Sequence, residues 1–263
     1  MNGAGTALDE ARAALRARQG AGARYDADGA PHTELAWARA GTAFFARALT
    51  ELSDADLSAP SLLPGWDRRA LIAHVGYNAR ALTRLCTWGR TGTECPMYAS
   101  PRQRAEEIAR GATLPARALR SLFAHSEVHL NVEWRDLPGP AWDASVVTAQ
   151  GRTVPLRETA WMRTREVWVH AVDLGGGGGG FRDVPPGLLD RLAADVLAAW
   201  ERRGERPALT LAATDRDAPL AVAPGGGPTV TGTAADLTRW LTGRGTRRLT
   251  CDHGELPRLP RWL

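Results

Sequence analysis

The stretch from Leu156 to Leu174, LRETAWMRTREVWVHAVDL, limits what this chain can fold into more than any other segment. It contains neither Gly nor Pro, and Pro155 directly before it suits the start of a helix. Trp161 and Trp168 recur at helical spacing. Its polar surface is limited mainly to three arginines, Arg157, Arg163 and Arg165. A helix this apolar is mostly buried, so we predict that the rest of the chain packs around it.

Two residues of this helix, Glu166 and His170, are four apart and therefore lie on one face. A buried carboxylate and a buried imidazole each need a polar partner, and a shared divalent metal would serve both. In the alternative, the two side chains bond each other or a backbone carbonyl. Asp173 follows three residues beyond His170, where it either orients that histidine from behind or makes a cap or salt bridge at the surface.

The composition limits the class of protein. With 44% hydrophobic and 24% charged residues, the 263-residue chain has the make-up of a globular protein with one large or two small domains. No apolar run is long enough to span a membrane, and the N-terminus lacks the pattern of a secretory signal. Three scattered cysteines, Cys86, Cys95 and Cys251, predict neither a disulfide framework nor a close-set metal site. A reducing cytoplasm is therefore the expected compartment.

Charge excludes one class of partner. All 33 basic residues are arginines, whose planar guanidinium binds carboxylates and phosphates at two points. They are interspersed with 29 acidic residues, and no basic block contains interleaved aromatic residues. We therefore do not expect nucleic acid to be a partner.

Three further helical patterns precede the Leu156 helix. They run from Thr33 to Leu52, from an N-cap at Asp67 to about Trp88, and from Pro101 towards Trp134, with Thr33 capping the first. A short hairpin is predicted around Gln150-Gly151. Residues 32–174 are thus predicted to form an all-α bundle of four helices, preceded by a flexible extension of residues 1–31.

In such a bundle, ligands on facing helices can converge on the core. His74 on the second helix joins Glu166 and His170 as a candidate ligand, although a lone histidine there can equally be a hydrogen-bonded core residue. Two histidines and one carboxylate leave one zinc position open for water or substrate, as catalytic sites require.

A rival pair, His125 and His129, lies on the third helix, with Glu133 one turn further on. Two histidines at this spacing can bind zinc in principle. A polar helix face explains the pattern as well, and no Glu directly follows the first histidine as in the zinc proteases.

The chain changes character after the glycine run at residues 175–180. We predict a Gly-rich linker over residues 175–184 and a small α+β domain over residues 185–263. This domain begins with a helix from Pro185 to Arg203, continues with strands in PALTLAAT, PLAVAP and PTVTGT, and ends with a helix capped by Thr233. Arg244 stands at the end of that last helix, where it can cap carbonyls or reach the first domain.

Four blocks resemble the mycothiol-dependent maleylpyruvate isomerases, in the same order and over about residues 33–250. They are LPGWDRRALIAHVGYNARAL, RTGTECPMYASPRQRAEEI, WMRTREVWVHAVDLG and GTAADLTRWLTGRG. The resemblance implies a fold of class α plus α/β: an N-terminal DinB-like four-helix bundle that binds metal, followed by a small C-terminal domain of sterol-carrier-like form.

The resemblance also implies roles for particular residues. The zinc ligands of the family fall on His74, Glu166 and His170, and its functionally important arginines fall on Arg104 and Arg244. It further implies that the attacking group is the thiol of mycothiol and not a nucleophile of the protein.

The implied reaction is the conversion of maleylpyruvate to fumarylpyruvate in the breakdown of aromatic compounds. A thiolate adds to the cis double bond, the new single bond rotates, and the thiolate leaves. Zinc would lower the pKa of the thiol or polarise the substrate oxygens, and the two arginines would hold substrate carboxylates. We expect a cytoplasmic monomer with an anionic small-molecule substrate.

Two alternatives remain open: a mycothiol S-transferase acting on another electrophile, and a non-catalytic binding module. One departure from the family is Cys95, which stands where we expect Thr. Its thiol either lies near the active site or is a small buried filler, which is the interpretation we prefer.

Overall fold

A computed structural model describes residues 25–177 and 179–262. These residues contain seven α-helices and five short strands, so the predicted helical bundle followed by a small sheet-containing domain is confirmed. The helices are α1 His32–Thr50, α2 Arg68–Thr91, α3 Pro101–Ala112, α4 Ala116–Asp136, α5 Glu158–Asp173, α6 Pro186–Arg203 and α7 Ala234–Leu241. The strands are β1 Ser145–Val147, β2 Thr153–Pro155, β3 Thr210–Ala213, β4 Thr229–Gly232 and β5 Thr250–Cys251. Residues 1–24, most of the predicted N-terminal extension, lie outside the described residues.

The four long helices α1, α2, α4 and α5 form the bundle, in which α1 packs against α5 and α2 against α4. As predicted, α5 is largely buried: Trp161 and Trp168 are 3% and 5% exposed. Gly41 lets α1 approach α5 closely, because a Cβ there would lie 2.5 Å from a methyl carbon of Val167. Phe44 on α1 stacks on Trp168, with ring centroids 4.9 Å apart. The helix that will carry two candidate ligands is therefore held firmly in the core.

The predicted third helix is in fact two helices, and the prediction of one continuous helix was wrong. Helix α3 ends at Ala112, and α4 begins after Pro115, which has an extended ψ of 147°. Arg69 of α2 donates to the carbonyl oxygens of Ala112 and Leu114 and so satisfies acceptors that the break exposes. The break allows α3 to cover α2 while α4 completes the bundle.

Helix starts agree only in part with prediction. The side chain of Asp67 accepts a hydrogen bond from the backbone N–H of Ala70 at 2.7 Å, and Thr233 caps α7 in the same way. Helix α1, in contrast, follows Pro31 and has no side-chain cap, so the predicted cap at Thr33 was wrong.

Two of the described glycines of the run after α5 are closely packed, whereas a Cβ added at Gly177 or Gly180 would meet no atom within 4 Å. A Cβ on Gly176 would lie 2.5 Å from a carbon of Leu52, and one on Gly179 would lie 2.3 Å from the ring of Phe44. Gly179 also has a φ of +142°, which favours glycine. Gly176 and Gly179 therefore exclude side chains, because the chain there passes against Leu52 and against Phe44 of α1.

The C-terminal sheet has the order β3-β4-β5, parallel between β3 and β4 and antiparallel between β4 and β5. The predicted strand in PLAVAP is reduced to one isolated bridge between Leu211 and Ala221, and the sequence analysis missed β5. The predicted hairpin is confirmed, since β1 and β2 pair in antiparallel register. None of the helices in the described part of the chain combines the length and apolarity needed to cross a bilayer.

One buried ion pair connects all four helices of the bundle. Arg163 was predicted to give α5 polar surface, which is wrong: its side chain is fully buried. Its guanidinium on α5 donates to the Val75 carbonyl (2.9 Å) and to Asn78 Oδ1 (2.8 Å) on α2, and it pairs with Glu127 on α4. Glu127 in turn accepts from Thr42 on α1 at 3.0 Å. Burial lowers the pKa of Arg163 to about 10, which keeps it charged at neutral pH.

A second polar cluster joins the bundle to the C-terminal domain. The carboxylate of Asp195 on α6 accepts from Arg165 Nη1 (2.9 Å) and Trp161 Nε1 (3.0 Å), both on α5. It also accepts from Trp262 Nε1 at 3.2 Å, near the end of the chain. We call these four residues the Asp195 junction.

Candidate metal centre

His74, Glu166 and His170 converge as the sequence predicts. Glu166 Oε2 lies 3.0 Å from His74 Nε2 and 3.2 Å from His170 Nε2. One ligand atom from each residue lies within 4.8 Å of the other two. The spacing of four on α5 places Glu166 and His170 on one face, and the packing of α2 against α5 brings His74 opposite them.

The chemistry of this donor set fits a divalent metal. Two imidazole nitrogens and one carboxylate oxygen are the protein ligands of many catalytic zinc sites, and they leave a position open. Such ligation also admits iron, nickel or cobalt. Each of these atoms needs a partner, since His74 is buried and the side chains of Glu166 and His170 are only 23% and 14% exposed.

The three side chains differ in the protonation state that they would bring to a metal. Burial raises the pKa of Glu166, but His74 and His170 outweigh it and hold that pKa well below its ordinary range. Burial lowers the pKa of His74, which leaves a neutral ring suited to ligation. For His170, burial lowers the pKa, but hydrogen bonds to Asp173 and Glu166 raise it to about 9. A metal bound at His170 would therefore displace a proton.

Behind His170 lies a second carboxylate with a partner from the other domain. His170 Nδ1 is 2.9 Å from Asp173 Oδ2. Arg244 donates from Nε to Asp173 Oδ1 (3.0 Å) and from Nη2 to Oδ2 (2.7 Å). We call these three residues the Asp173 junction. Asp173 has no exposed side-chain surface, so the alternative of a surface cap or salt bridge is excluded.

The guanidinium of Arg244 is fixed by its surroundings. Its Nη1 donates to the carbonyl of Thr242, just after α7. The flanking Gly243 and Gly245 have φ values of +80° and +108°, which favour glycine and turn the chain sharply on both sides of the arginine. Three of the five N–H groups of Arg244 are thus used, and two remain for another acceptor.

Arg104 and Trp66 complete the surroundings of His74, and Tyr98 lies near Arg104. Arg104 Nη2 on α3 lies 3.4 Å from His74 Nδ1. Trp66 presents its ring at 89° to that of His74, with centroids 5.5 Å apart. Burial raises the pKa of Tyr98 to about 12 in spite of the nearby Arg104, so its hydroxyl stays protonated at neutral pH.

Comparisons with known proteins now identify the family. The model of the mycothiol maleylpyruvate isomerase N-terminal domain matches residues 38–175, and that of the MDMPI C-terminal domain matches residues 183–261. The chain belongs to this isomerase family. A crystal structure of a mycothiol-dependent maleylpyruvate isomerase is similar at 46% identity and a TM-score of 0.83, covering 88% of this chain and 96% of that one.

A mutant of such an isomerase, with one histidine replaced by alanine, matches at 45% identity, the same TM-score and the same coverage. A comparison with curated proteins finds no match. The agreement over most of both chains shows that the helical bundle and the sheet-containing domain belong to one family architecture.

In this family member the rival histidine pair is not part of a converging group. His125 is exposed, and His129 has a 59% exposed side chain whose Nε2 is 3.7 Å from Glu133. Within residues 25–177 and 179–262, the group of ligand atoms that converges is that of His74, Glu166 and His170.

Sequence reasoning missed Trp66, whereas Tyr98 lies in the loop from Cys95 to Tyr98 that was expected to contact the substrate. Trp66 directly precedes the cap of α2 in the block LPGW, which is the signal that was available for it. Cys95, three residues before Tyr98, is partly buried and is not a fully enclosed filler.

Proposed function

We propose that the protein is a mycothiol-dependent isomerase that converts maleylpyruvate to fumarylpyruvate in the cytoplasm, as a step in the breakdown of aromatic compounds. The observation that carries this proposal is the convergence of His74, Glu166 and His170 beside Arg104 and Arg244. The resemblance to the isomerases supports the choice of reaction. Free cysteines in the described chain suit a reducing compartment.

The bundle, residues 32–174, would hold a divalent metal through His74, Glu166 and His170, and zinc is our first choice. When bound, the metal supplies a positive charge that lowers the pKa of a coordinated thiol or polarises an oxygen of the substrate. The C-terminal domain, residues 185–263, contributes Arg244 to the same site.

Two of the three cysteines are poorly suited to attack, which supports the assignment of the attacking thiol to mycothiol. Cys86 is fully buried, and burial raises the pKa of its thiol far above neutral pH. Cys251 lies in β5 of the C-terminal sheet, apart from the converging ligands. In the proposed reaction, the sulfur of mycothiol adds to the cis double bond, the resulting single bond rotates, and the same sulfur leaves.

Arg104 is the residue that we assign to a substrate carboxylate. A histidine that coordinates through Nε2 carries its proton on Nδ1. The Nδ1 of His74 then ceases to be an acceptor for Arg104, whose guanidinium becomes available for an anionic group in the site.

Arg244 can bind a second carboxylate without leaving Asp173. Asp173 occupies the edge formed by Nε and Nη2, and Thr242 takes one N–H of Nη1. One N–H remains on each of Nη1 and Nη2, and a carboxylate binds such a pair at two points. An anion with two carboxylates therefore suits a site that has both Arg104 and Arg244.

The proposal is tested with zinc-loaded protein and maleylpyruvate, with and without mycothiol. We expect conversion to fumarylpyruvate only when mycothiol is present. The variant His74→Ala should lose both bound metal and turnover, whereas His129→Ala, on the exposed face of α4, should keep both. Stoichiometric metal in His74→Ala would contradict the ligand assignment, and metal-loaded protein without turnover would favour transfer of mycothiol to another electrophile.

A further inference from the structure

We propose that the C-terminal domain sets the orientation of a metal ligand: Arg244 acts through Asp173 to fix the ring of His170. The inference rests on the proposed metal site and goes beyond it, because it gives Arg244 a role as a positioning residue in addition to any contact with substrate. The two roles make different predictions for metal affinity, since a substrate-binding arginine has no effect on metal binding in the absence of substrate.

The geometry at His170 provides the first step. Its Nε2 points at Glu166 and is the atom offered to a metal, while Nδ1 on the opposite side of the ring is 2.9 Å from Asp173 Oδ2. A hydrogen bond at Nδ1 fixes both the tautomer and the rotation of an imidazole that ligates through Nε2. Asp173 therefore determines where the ligand nitrogen of His170 points.

Asp173 itself is held from the other domain. Its carboxylate has no exposed surface, and a buried carboxylate needs compensation. Arg244 grips it with two parallel hydrogen bonds at 3.0 and 2.7 Å, so that Oδ2 is shared between Arg244 and His170. This bidentate contact fixes the plane of the carboxylate, which a single bond to His170 would leave free to rotate.

The backbone around Arg244 makes this bidentate contact rigid. Arg244 is bound to the end of α7 through its backbone N–H, which donates to Arg239 at 2.8 Å, and through Nη1, which donates to Thr242. The Thr242 side chain is itself tied to the carbonyl of Thr238 at 2.9 Å. The position of α7 is thereby transmitted to a ligand atom on α5.

The Asp195 junction supplies a matched control. It also crosses between the bundle and the C-terminal domain through an arginine–carboxylate contact of 2.9 Å, between Arg165 and Asp195. Its remaining partners are indole N–H groups of Trp161 and Trp262, and neither belongs to the ligand cluster. Weakening this contact loosens the same pair of domains without removing a hydrogen bond of a metal ligand.

The experiment measures zinc affinity of the full-length chain by competition with a chelator, without substrate or mycothiol. The variants are Arg244→Gln, Arg244→Lys and Asp173→Asn, with Arg165→Gln and Asp195→Asn as controls. We expect Arg244→Gln and Asp173→Asn to bind zinc about 10- to 100-fold more weakly. Arg244→Lys keeps the charge but loses the bidentate hydrogen bond, and its zinc affinity should lie between those of Arg244→Gln and the unaltered protein. Both controls should bind zinc as the unaltered protein does.

A second readout is the visible spectrum of the cobalt-loaded proteins, which reports the geometry of the ligands. It should change in Arg244→Gln and Asp173→Asn and stay the same in the controls. Unaltered zinc affinity and an unaltered cobalt spectrum in Arg244→Gln, with turnover lost, would overturn the inference and leave Arg244 with substrate contact alone. Equal losses of affinity in the controls would overturn it too, because they would trace the effect to general loosening of the domains.

Circular dichroism establishes that each variant is folded, and if Arg244→Gln fails to fold, Arg244→Lys and Asp173→Asn carry the test. Failure of the proposed function is a separate result: it appears in the unaltered protein, as missing metal or missing isomerase turnover. The ratio of zinc affinities between each variant and the unaltered protein decides the present inference.

Discussion

Two carboxylates, the buried Asp173 and the partly buried Asp195, join the bundle to the C-terminal domain, and the arginine of each pair comes from the opposite domain. Asp173 belongs to α5 and receives Arg244 from the C-terminal domain, whereas Asp195 belongs to α6 and receives Arg165 from α5. The decisive difference is the remaining partner. Asp195 is completed by two indole N–H groups and Asp173 by His170. Similar contacts thus hold two domains together at one place and orient a candidate metal ligand at the other.

The comparison teaches that interdomain contact and site geometry can be separated by mutation. Each junction has one carboxylate and one arginine, with little exposure: 16% for both side chains of Arg165–Asp195, and 16% and 0% for Arg244–Asp173. A difference in zinc affinity between the variants at the two junctions therefore reports the link to His170, which only the Asp173 junction has.

The largest effect expected is that of the metal on stability. At free zinc 1,000-fold above its dissociation constant, binding to the folded state adds about 4 kcal/mol to the free energy of unfolding. Asp195→Asn should keep this increment, whereas Asp173→Asn, with weaker binding, should lose at least about 1.4 kcal/mol of it at the same zinc concentration. Urea unfolding with and without a chelator measures this zinc-dependent stabilisation. Equal stabilisation of both variants by zinc would contradict the proposal that only the Asp173 junction affects the metal site.

The next effect concerns the protein without metal. Asp173→Ala leaves the guanidinium of Arg244 without its carboxylate and removes the partner of His170 Nδ1. Loss of one member of a buried pair costs about 3 kcal/mol of stability. Unfolding in urea with a chelator present gives this value, and a loss under about 0.5 kcal/mol would show that Asp173 is not a buried structural charge.

A smaller loss is expected from Asp195→Asn. The amide keeps an acceptor oxygen for one indole but loses the charge that Arg165 faces, and hydrogen bonds to charged groups contribute about 1.5 kcal/mol each. Zinc affinity and turnover should be unaltered, because Asp195 accepts its hydrogen bonds from Arg165, Trp161 and Trp262 and not from a metal ligand. Reduced zinc affinity in this variant would show that both junctions affect metal binding, which contradicts the distinction drawn between them.

The smallest effect expected is on how the free energy of unfolding depends on pH in acid. Burial raises the pKa of Asp195, but the charge of Arg165 and the hydrogen bond from Trp161 outweigh it and keep that pKa below its ordinary value of 3.8. The unfolded chain thus takes up the proton more readily, so the stabilisation is present above pH 3.8 and lost as the pH falls through the lowered folded value. Metal-free Asp195→Asn should lose stability less steeply below pH 3.8 than the unaltered protein, as thermal unfolding at several pH values would measure; parallel slopes would contradict this.

Local pattern was enough to predict part of the candidate site. The spacing of Glu166 and His170 on an apolar helix places both on one buried face, and their convergence with His74 follows once α2 packs on α5. The partner of Asp173 lies 71 residues away in the sequence, so no local pattern indicates that Arg244 would meet it. Their contact depends on how two domains pack, which is a property of the whole fold.

The errors in the fold have equally local causes. Pro115 is a helix breaker within the segment that we predicted as one helix, so the signal for the break was present and was given too little weight. Strand β5 has only two residues and is too short for any periodicity. Arg163 was placed on the surface because a hydrophobic pattern counts every arginine as polar, and the buried acceptors lie on other helices.

That buried arginine has a consequence for how the bundle assembles. Arg163 on α5 draws its acceptors from α2 and its counter-charge from α4, and Glu127 takes a further bond from α1. A compact intermediate that lacks α2 or α4 encloses the guanidinium with part of its partners missing, and one that lacks α1 leaves Glu127 short of a donor. Such half-assembled states are high in free energy, so we expect the four helices to come together in a single cooperative transition without a populated three-helix intermediate.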